Sequence, residues 1–182
     1  MLQIKFYGLG GQGVVTAAKI LAQAIVVHEG KYAQSVPAYG HERRGAPVYS
    51  DLFVDDKPIL LKSFVYEPDH VLVFDLAVLD KGVDVLQGAH ANTEFLVNHH
   101  EAPTDFPFAR GFGAVRYVNA TKTALETIGA EIPNSAMLGA FAATGVVSID
   151  AICAALKDTF KGKAGELNVE AARQCYAAVK RL

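Results

Sequence analysis

The sequence predicts an α/β domain with a doubly wound, mostly parallel sheet of Rossmann-like form, carrying a hairpin insertion and a helical C-terminal tail. Three observations support this. Strand-like apolar runs alternate with helical patterns through much of the chain, which is the order that builds a parallel sheet. A glycine cluster ends the first strand and opens the first helix. The 182 residues show no break in composition, so we expect a single domain over residues 1–182.

The N-terminal elements follow from short-range patterns. Leu2–Tyr7 alternates apolar and polar side chains, as a half-buried strand does. Val14–Val27 carries apolar side chains three and four residues apart, which is helical spacing, and Gly30 is placed to end that helix. We expect a second strand over Tyr32–Tyr39, interrupted by Pro37.

A charged turn separates the next two apolar segments. Pro47–Val54 and Ile59–Val65 lie on either side of Asp55-Asp56-Lys57-Pro58, whose residue types favour a turn. We therefore expect the two segments to pair with each other as the hairpin insertion.

The second half of the chain begins with a strand covered on both faces. His70–Phe74 is almost continuously apolar, which is typical of a central parallel strand. A helix over Leu76–Leu86 and strands over Glu94–Asn98 and Val115–Val118 follow, with a long surface loop predicted at His99–Gly113. The tail is then helical over Ala120–Ile128, Ser135–Ala143, Ile149–Phe160 and Glu166–Lys180.

Composition excludes several classes of function. A net charge of −2 leaves no excess of cations for a nucleic-acid or lipid-headgroup surface, so we expect neither partner. No apolar run approaches the roughly 20 residues of a membrane helix, and no secretory signal is visible, so we expect a cytoplasmic protein. The two cysteines, Cys153 and Cys175, lack the spacing of zinc or iron–sulfur ligands, and we expect no metal site.

The clearest chemical motif is Gly8-Leu9-Gly10-Gly11-Gln12-Gly13, which has G-x-G-x-x-G spacing between a strand and a helix. Gly8 permits the sharp turn, Gly10 lets the backbone approach a ligand, and Gly13 allows the helix to pack against the strand. Backbone amides at the helix start favour a phosphate or another anion. The cofactor-binding candidates here are Gly8, Gly10, Gly11, Gln12 and Gly13. The alternative is a glycine turn that serves packing alone.

The position that would bind a nicotinamide ribose has no carboxylate. An NAD site places an Asp or Glu about 20 residues beyond the glycine motif, and this sequence has Val36-Pro37-Ala38-Tyr39 there. We therefore expect no standard NAD site. Arg43 or Arg44 instead offers a guanidinium to a phosphate group, and both are binding candidates.

The arginines belong to a dense patch over Tyr39–Pro47. Glu42 can hold one arginine by an ion pair while the other faces a ligand or partner. We place Tyr39, His41 and Glu42 on a loop that faces a partner or an active site. The alternative is a solvated charged turn, because exposed ion pairs contribute little to stability.

The remaining candidates give no catalytic residue. Asn134 lies at a predicted helix start after Pro133, where it can cap the helix and also face a ligand. His41 has no second group at a defined spacing, and we find no Ser/His/Asp set, no paired carboxylates and no Walker lysine. The sequence thus indicates binding rather than catalysis by this chain.

Several segments, taken in order, resemble one family. They are the glycine motif continued through residue 18, residues 30–34, residues 42–48, Glu67-Pro68-Asp69 and residues 134–140. Together they resemble the gamma subunit of the 2-oxoacid:acceptor oxidoreductases, the pyruvate:ferredoxin oxidoreductase group, from about residue 3 to residue 170. Ala38-Tyr39-Gly40-His41 departs from that family's usual phenylalanine-rich stretch, so pyruvate, branched-chain, indolepyruvate and phenylglyoxylate enzymes all stay open.

The resemblance implies a cytoplasmic, multisubunit enzyme that oxidatively decarboxylates a 2-oxoacid to its acyl-CoA. It implies alpha, beta and delta-type partner subunits, thiamine diphosphate, magnesium and iron–sulfur clusters on those partners, coenzyme A, and ferredoxin or another electron acceptor. This chain would be an accessory domain that supports the CoA and thiamine sites, inactive alone. Two alternatives are a stand-alone dinucleotide- or flavin-binding reductase and a purely structural scaffold within the same complex.

Overall fold

The computed structural model describes residues 1–38, 44–104 and 112–182. The strands are β1 (Leu2–Leu9), β2 (Tyr32–Ala38), β3 (Pro47–Asp55), β4 (His70–Val73), β5 (Glu94–Asn98), β6 (Ala114–Val118) and β7 (Lys180–Arg181). The helices are α1 (Val14–Gln23), α2 (Ala77–Asp80), α3 (Ala120–Ile128), α4 (Asn134–Ala142), α5 (Ile149–Thr159) and α6 (Gly162–Ala178). A π-helical turn at Ala24–His28 continues α1.

The strands form one seven-stranded sheet in the order β2-β3-β1-β4-β5-β6-β7. Four of them, β1, β4, β5 and β6, are parallel and occupy its middle. β3 and β2 extend the sheet antiparallel on one side, and β7 does so on the other. The predicted α/β fold is therefore confirmed, with a parallel centre inside a mixed sheet.

The predicted pairing of residues 47–54 with residues 59–65 is wrong. β3 pairs with β2, Val54 lying opposite Ala33, and not with residues 59–65. The other edge of β3 pairs with β1 along its whole length, so β3 has no edge left for another strand. Residues 59–65 form no regular element and meet the sheet at Val65, whose N–H donates to the Asp51 side chain.

Helices cover the two faces of the sheet unequally. The larger core lies between one face and the helices α1, α3, α4, α5 and α6, and includes Phe6 and Leu72. The smaller core lies on the opposite face, where Val73 and Val97 pack with Val78 of α2. α2 is a single turn and not the predicted helix over residues 76–86, because the chain turns at Gly82, which has φ 76°.

The predicted helical tail is confirmed as α3 to α6, which pack closely on one another. A Cβ added at Gly139 in α4 would lie 1.9 Å from the carbonyl oxygen of Ala172 in α6, so these helices approach at a distance only glycine permits. α6 ends before the predicted Lys180, because Lys180 and Arg181 form β7 and pair with β6.

Candidate anion-binding site

The glycine loop joins β1 to α1 and is shaped by close packing. A Cβ at Gly8 would lie 2.6 Å from Val14 Cγ2 and 2.9 Å from Phe74 Cβ. Gly8 therefore allows the helix to approach the strand, the role that the motif assigns to Gly13. Gly11 and Gly13 have φ of 102° and 74°, a region that favours glycine.

Gly13 packs against the start of α4 and not against the strand. A Cβ there would lie 2.6 Å from Asn134 Nδ2 and 3.0 Å from Asn134 Cβ and Cγ. Asn134 is only 6% exposed, and its Oδ1 accepts a hydrogen bond from the Ser135 N–H at 2.7 Å. The structure thus places Asn134 against the glycine loop at Gly13, where it is buried and supports the start of α1.

This support continues into α6 through a residue that sequence reasoning missed. The Ser135 hydroxyl donates to Asn168 Oδ1 at 2.6 Å, and Asn168 Nδ2 donates to the Ala164 carbonyl at 2.8 Å. The signal available in the sequence was a lone asparagine within an otherwise apolar helix face. Its partner lies 33 residues away.

Gln12 braces the loop by using both ends of its carboxamide. Gln12 Oε1 accepts from the Leu9 N–H at 2.8 Å, and Nε2 donates to Asp75 Oδ2 at 2.7 Å. Asp75 follows β4 and in turn accepts from the Ala77 N–H at 2.9 Å. Because both amide atoms are engaged, Gln12 positions the loop from the side of the neighbouring strand.

The two motifs that the sequence analysis found separately lie together. The Gly10 N–H donates to the Ala46 carbonyl at 2.8 Å, and the Gly45 N–H donates to the Gly10 carbonyl at 3.1 Å. Arg44 is exposed beside Gly11. A cavity of about 390 Å³ has these groups in its wall; it is lined by Leu9, Gly10, Gly11, Gly13, Val14, Val15, Thr16, Arg44 and Val48.

The first turn of α1 leaves its amides open toward this cavity. The first backbone hydrogen bond of the helix runs from the Ala17 N–H to the Gly13 carbonyl at 2.8 Å. Within the described residues, the N–H groups of Val14, Val15 and Thr16 have no acceptor, Gly13 supplies no side-chain cap, and the first turn has no acidic residue. Such a helix start carries partial positive charge and binds anions.

The chemistry of the cavity is that of binding. Backbone amides, the Arg44 guanidinium and the Thr16 hydroxyl can all donate hydrogen bonds to a phosphate. Among the described residues that line it, none has a carboxylate, an imidazole or a thiol, so the cavity presents no general base or nucleophilic sulfur. A phosphate or similar anion is the ligand class that these groups fit.

At a second helix start on the same edge of the sheet, that of α3, the first backbone N–H groups are hydrogen-bonded by a side chain of this chain. Sequence reasoning did not find this arrangement. Asn98, at the end of β5, donates through Nδ2 to the Phe74 carbonyl and to Thr121 Oγ1, each at 2.8 Å. Its Oδ1 accepts from the Ala120 N–H at 2.9 Å and from the Thr121 N–H at 3.3 Å. One carboxamide therefore joins β4, β5 and α3.

The structure does not describe four of the predicted site residues. Tyr39, His41, Glu42 and Arg43 lie outside the described residues, so their roles stay predictions. Over residues 1–38, 44–104 and 112–182, no group of three or more His, Cys, Asp or Glu is placed to hold a metal ion. In the same ranges, every helix is too short or too polar to cross a membrane.

Comparison with known proteins gives a consistent result. A family described as pyruvate ferredoxin/flavodoxin oxidoreductase matches residues 3–178. The pyruvate synthase subunit PorC of Methanothermobacter thermautotrophicus is 45% identical over 183 residues, covering 100% of this chain and 98% of its own. The common gamma subunit of the pyruvate/ketoisovalerate oxidoreductases of Pyrococcus abyssi is 46% identical, covering 97% and 96%.

A solved structure agrees with these sequences. The crystal structure of the pyruvate oxidoreductase subunit PORC from Thermotoga maritima superposes with a TM-score of 0.85 at 32% identity. It covers 99% of this chain and 97% of its own. The similarity therefore extends over the whole fold, including the antiparallel strands and the helical tail.

Proposed function

This chain belongs to the pyruvate ferredoxin/flavodoxin oxidoreductase family, and from that premise we propose that it is the gamma subunit of a complex that oxidatively decarboxylates a 2-oxoacid to its acyl-CoA. Support comes from relatives named as gamma or PorC subunits, which match it over nearly their full lengths. The complex would work in the cytoplasm and pass electrons to ferredoxin or another acceptor.

The redox and carbanion chemistry belongs to partner chains in this proposal. A cluster of the ferredoxin type takes four thiolates, and this chain has two cysteines, both buried. Thiamine diphosphate, magnesium and the iron–sulfur clusters would therefore be bound by alpha, beta and delta-type subunits. The stand-alone reductase is not favoured, because the full-length relatives are subunits of larger enzymes.

The choice of 2-oxoacid would also lie with partner subunits. The Pyrococcus abyssi relative is named as a subunit common to pyruvate and ketoisovalerate oxidoreductases. We propose that this chain is likewise compatible with more than one 2-oxoacid. Measuring turnover with pyruvate and 2-ketoisovalerate in complexes that share this chain but differ in the other subunits tests the point.

The specific contribution of this chain would be to bind phosphate groups of coenzyme A. The observation that carries this proposal is the pairing of the open α1 amides with Arg44 around one cavity of about 390 Å³. Arg43 would add a second cation to the same loop. Coenzyme A offers several phosphates, and charge-assisted hydrogen bonds from amides and guanidinium bind such groups well.

Kinetics of the assembled complex test this role. Arg44→Ala should raise the apparent KM for CoA about tenfold, because a charge-assisted hydrogen bond contributes roughly 1.5–3 kcal/mol and this one is exposed to solvent. The Arg43→Ala/Arg44→Ala double variant should raise it further. kcat at saturating CoA should stay unchanged, since no bond-making group is removed.

The matched control is Arg173→Ala on α6, which removes another exposed arginine, paired with Asp150 at 2.9 Å. It should leave the KM for CoA at the wild-type value. An unchanged KM in the double variant with normal assembly would refute the CoA role. Loss of assembly with an unchanged KM in the remaining complex would instead support the scaffold alternative.

A further inference from the structure

A second helix begins against the glycine loop. Asn134 is the first residue of α4, and it packs on Gly13, the cap of α1, where an added Cβ would lie 2.6 Å from its Nδ2. At the other end of α4, the Phe141 ring is perpendicular to that of His70, the first residue of β4, with 5.4 Å between the ring centroids. β1 and β4 are parallel, so α1 and α4 both start at the edge where β1 ends. The partial positive charges of two helix starts therefore meet at Gly13.

The start of α4 lacks acceptors, as the start of α1 does. The Met137 N–H donates to the Pro133 carbonyl at 2.8 Å, and the Ser135 N–H donates to the Asn134 side chain. Within the described residues, the N–H groups of Asn134 and Ala136 have no acceptor, and the first turn has no acidic side chain. Every residue of α4 is buried. A buried helix start without acceptors is unfavourable in free energy until an acceptor reaches it.

The Asn134 carboxamide has an unused donor. Its Oδ1 accepts from the Ser135 N–H at 2.7 Å, which fixes the orientation of the group and leaves Nδ2 against Gly13. Nδ2 has no acceptor within the described residues, although Asn134 is only 6% exposed. In the same part of the chain, the fully enclosed side-chain atoms without a partner are Ser35 Oγ, Ser50 Oγ and Asp51 Oδ1. Nδ2 is not one of them, so part of it is open to a ligand.

Other carboxamides around this end of the sheet have no unused donor. Gln12, Asn98 and Asn168 each use both the oxygen and the nitrogen of the carboxamide in hydrogen bonds within this chain. Asn134 differs from them only in its nitrogen. Because polar side-chain groups that are nearly buried have hydrogen-bond partners in most structures, the missing partner is an acceptor that the described part of this chain does not supply.

A cation lies beside the same loop. Arg44 is exposed, and its Cγ lies 3.8 Å from the position that a Cβ would take at Gly11. Glu42 and Arg43, which carry opposite charges, lie outside the described residues. The described groups at the loop are therefore hydrogen-bond donors and one guanidinium, which together favour an anion as the acceptor.

The carboxylates near the two helix starts do not take this place. Both oxygens of Asp75 already accept hydrogen bonds, one from Gln12 Nε2 and the other from the Ala77 N–H. Glu131, three residues before α4, is exposed and bonds to neither helix start within the described residues. A phosphate supplies several acceptor oxygens and negative charge at once, so it can satisfy donors from both helices.

We infer that Asn134 binds the same phosphate as the α1 amides and Arg44, with Nδ2 as the hydrogen-bond donor. The inference rests on the proposed function, because it takes a phosphate of coenzyme A as the ligand. Gly13 lies both in the wall of the cavity of about 390 Å³ and against Asn134, so a phosphate at the start of α1 is within reach of α4. The anion is then held between two helix starts and not at one.

Asn134→Asp in the assembled complex separates binding from structural support. Asp has nearly the same shape, keeps an oxygen for the Ser135 N–H and replaces the Nδ2 donor by a charged oxygen. The apparent KM for CoA should rise about tenfold or more, because a donor becomes a repelling charge. The thermal unfolding midpoint should be no lower than that of the wild type, since a carboxylate is favourable at a helix start. A residue that only supports α1 would leave the KM unchanged.

The matched control is Asn119→Asp at the start of α3. Asn119 Oδ1 also accepts from a first-turn N–H, that of Lys122 at 3.0 Å, and the residue follows β6, three strands away from β1. The change of charge is the same, so the KM for CoA should stay within about twofold of the wild-type value. An equal rise in both variants would show that added charge alone lowers the affinity, and it would overturn the inference.

Nuclear magnetic resonance reports the contact directly. The carboxamide resonances of Asn134 are those absent from the spectrum of the Asn134→Asp chain. Titrating the full chain with inorganic pyrophosphate should shift them together with the backbone N–H resonances of Val14, Val15 and Thr16, with one dissociation constant. The carboxamide resonances of Asn119 should not move. Shifts in α1 with unmoved Asn134 resonances would place the anion on α1 alone and overturn the inference.

The combined results distinguish this inference from the CoA role. If Arg44→Ala raises the KM for CoA and Asn134→Asp does not, the inference fails and the CoA role stands. If pyrophosphate shifts both helix starts but neither variant changes the KM, the shared anion site stands and the CoA role fails. If no shift and no change in KM occurs, both fail. Should the Asn134→Asp chain not fold, the titration of the wild-type chain decides, with the carboxamide assigned through its own backbone resonances.

Discussion

Two helices begin at the same edge of the sheet, and their starts are built in opposite ways. α1 follows β1 through a glycine cap, and within the described residues its first-turn N–H groups have no acceptor. α3 follows β6, and there Asn119 Oδ1 accepts from the Lys122 N–H at 3.0 Å while Asn98 takes the Ala120 and Thr121 N–H groups.

The start of α1 is suited to binding an anion, whereas the start of α3 is suited to stabilising the fold. Both helices carry the same partial positive charge at their N-termini. In α3 that charge is neutralised by carboxamide oxygens from this chain, so the helix start contributes stability. In α1 it stays available beside Arg44 in a cavity, so it can contribute affinity for an anion.

The largest loss of stability should come from Gly13→Ala, at the start of α1. The added methyl group meets Asn134 and the residue is held at φ 74°, so we expect a loss of about 2–4 kcal/mol in the free energy of unfolding, measured with urea. Gly129→Ala is the control, because Gly129 ends α3 at φ 79° with nothing within 4 Å of the new Cβ. It should lose about 1 kcal/mol. Equal losses would contradict the packing role of Asn134.

The second-largest loss of stability should come from Asn98, which caps the start of α3. Asn98→Ala removes four hydrogen bonds and leaves buried groups unsatisfied. The free energy of unfolding should therefore fall by about 2–3 kcal/mol. Asn98→Asp keeps the acceptor for the α3 amides and should lose less. Chemical denaturation of both variants decides, and a larger loss in Asn98→Asp than in Asn98→Ala would argue against capping as the main role.

The smallest change in stability should come from adding a carboxylate beside the free N–H groups at the start of α1. Thr16→Glu places a carboxylate in the first turn of α1, where it should stabilise the fold by about 0.5 kcal/mol. The same carboxylate would repel an incoming phosphate, so the KM for CoA in the complex should rise about tenfold. Thr16→Gln has nearly the same size as Thr16→Glu without the charge and removes the same hydroxyl, so it should leave the stability nearly unchanged and raise the KM much less than Thr16→Glu does. A rise in KM with Thr16→Gln as large as with Thr16→Glu would contradict the electrostatic explanation.

Local pattern was enough to predict the parallel centre of the sheet and the helices that follow it. The glycine motif between β1 and α1, the apolar run of β4 and the helical spacing of the tail are all signals within one element. The apolar run at 59–65 gave the same kind of signal as a strand, yet Leu60, Leu61 and Phe64 in it are exposed. Period and composition do not distinguish a buried strand from an irregular segment whose apolar side chains are exposed.

The details of the site depend on residues far apart in the sequence, which is why pattern reasoning missed them. Gln12 meets Asp75 across 63 positions, and Ser135 meets Asn168 across 33. The pairing of β3 with β2 rather than with 59–65 was set by competition for the edges of β3, which no local window contains. The role of Gly13 likewise depended on Asn134, a residue of another helix.

The brace between Gln12 and Asp75 has a consequence for how the open helix end would meet a ligand. Because the loop is already held by hydrogen bonds at both ends of one side chain, its entropy is lost during folding and not upon encounter. The glycine loop would then behave as a rigid receptor, and a phosphate group would meet a loop that folding has already ordered.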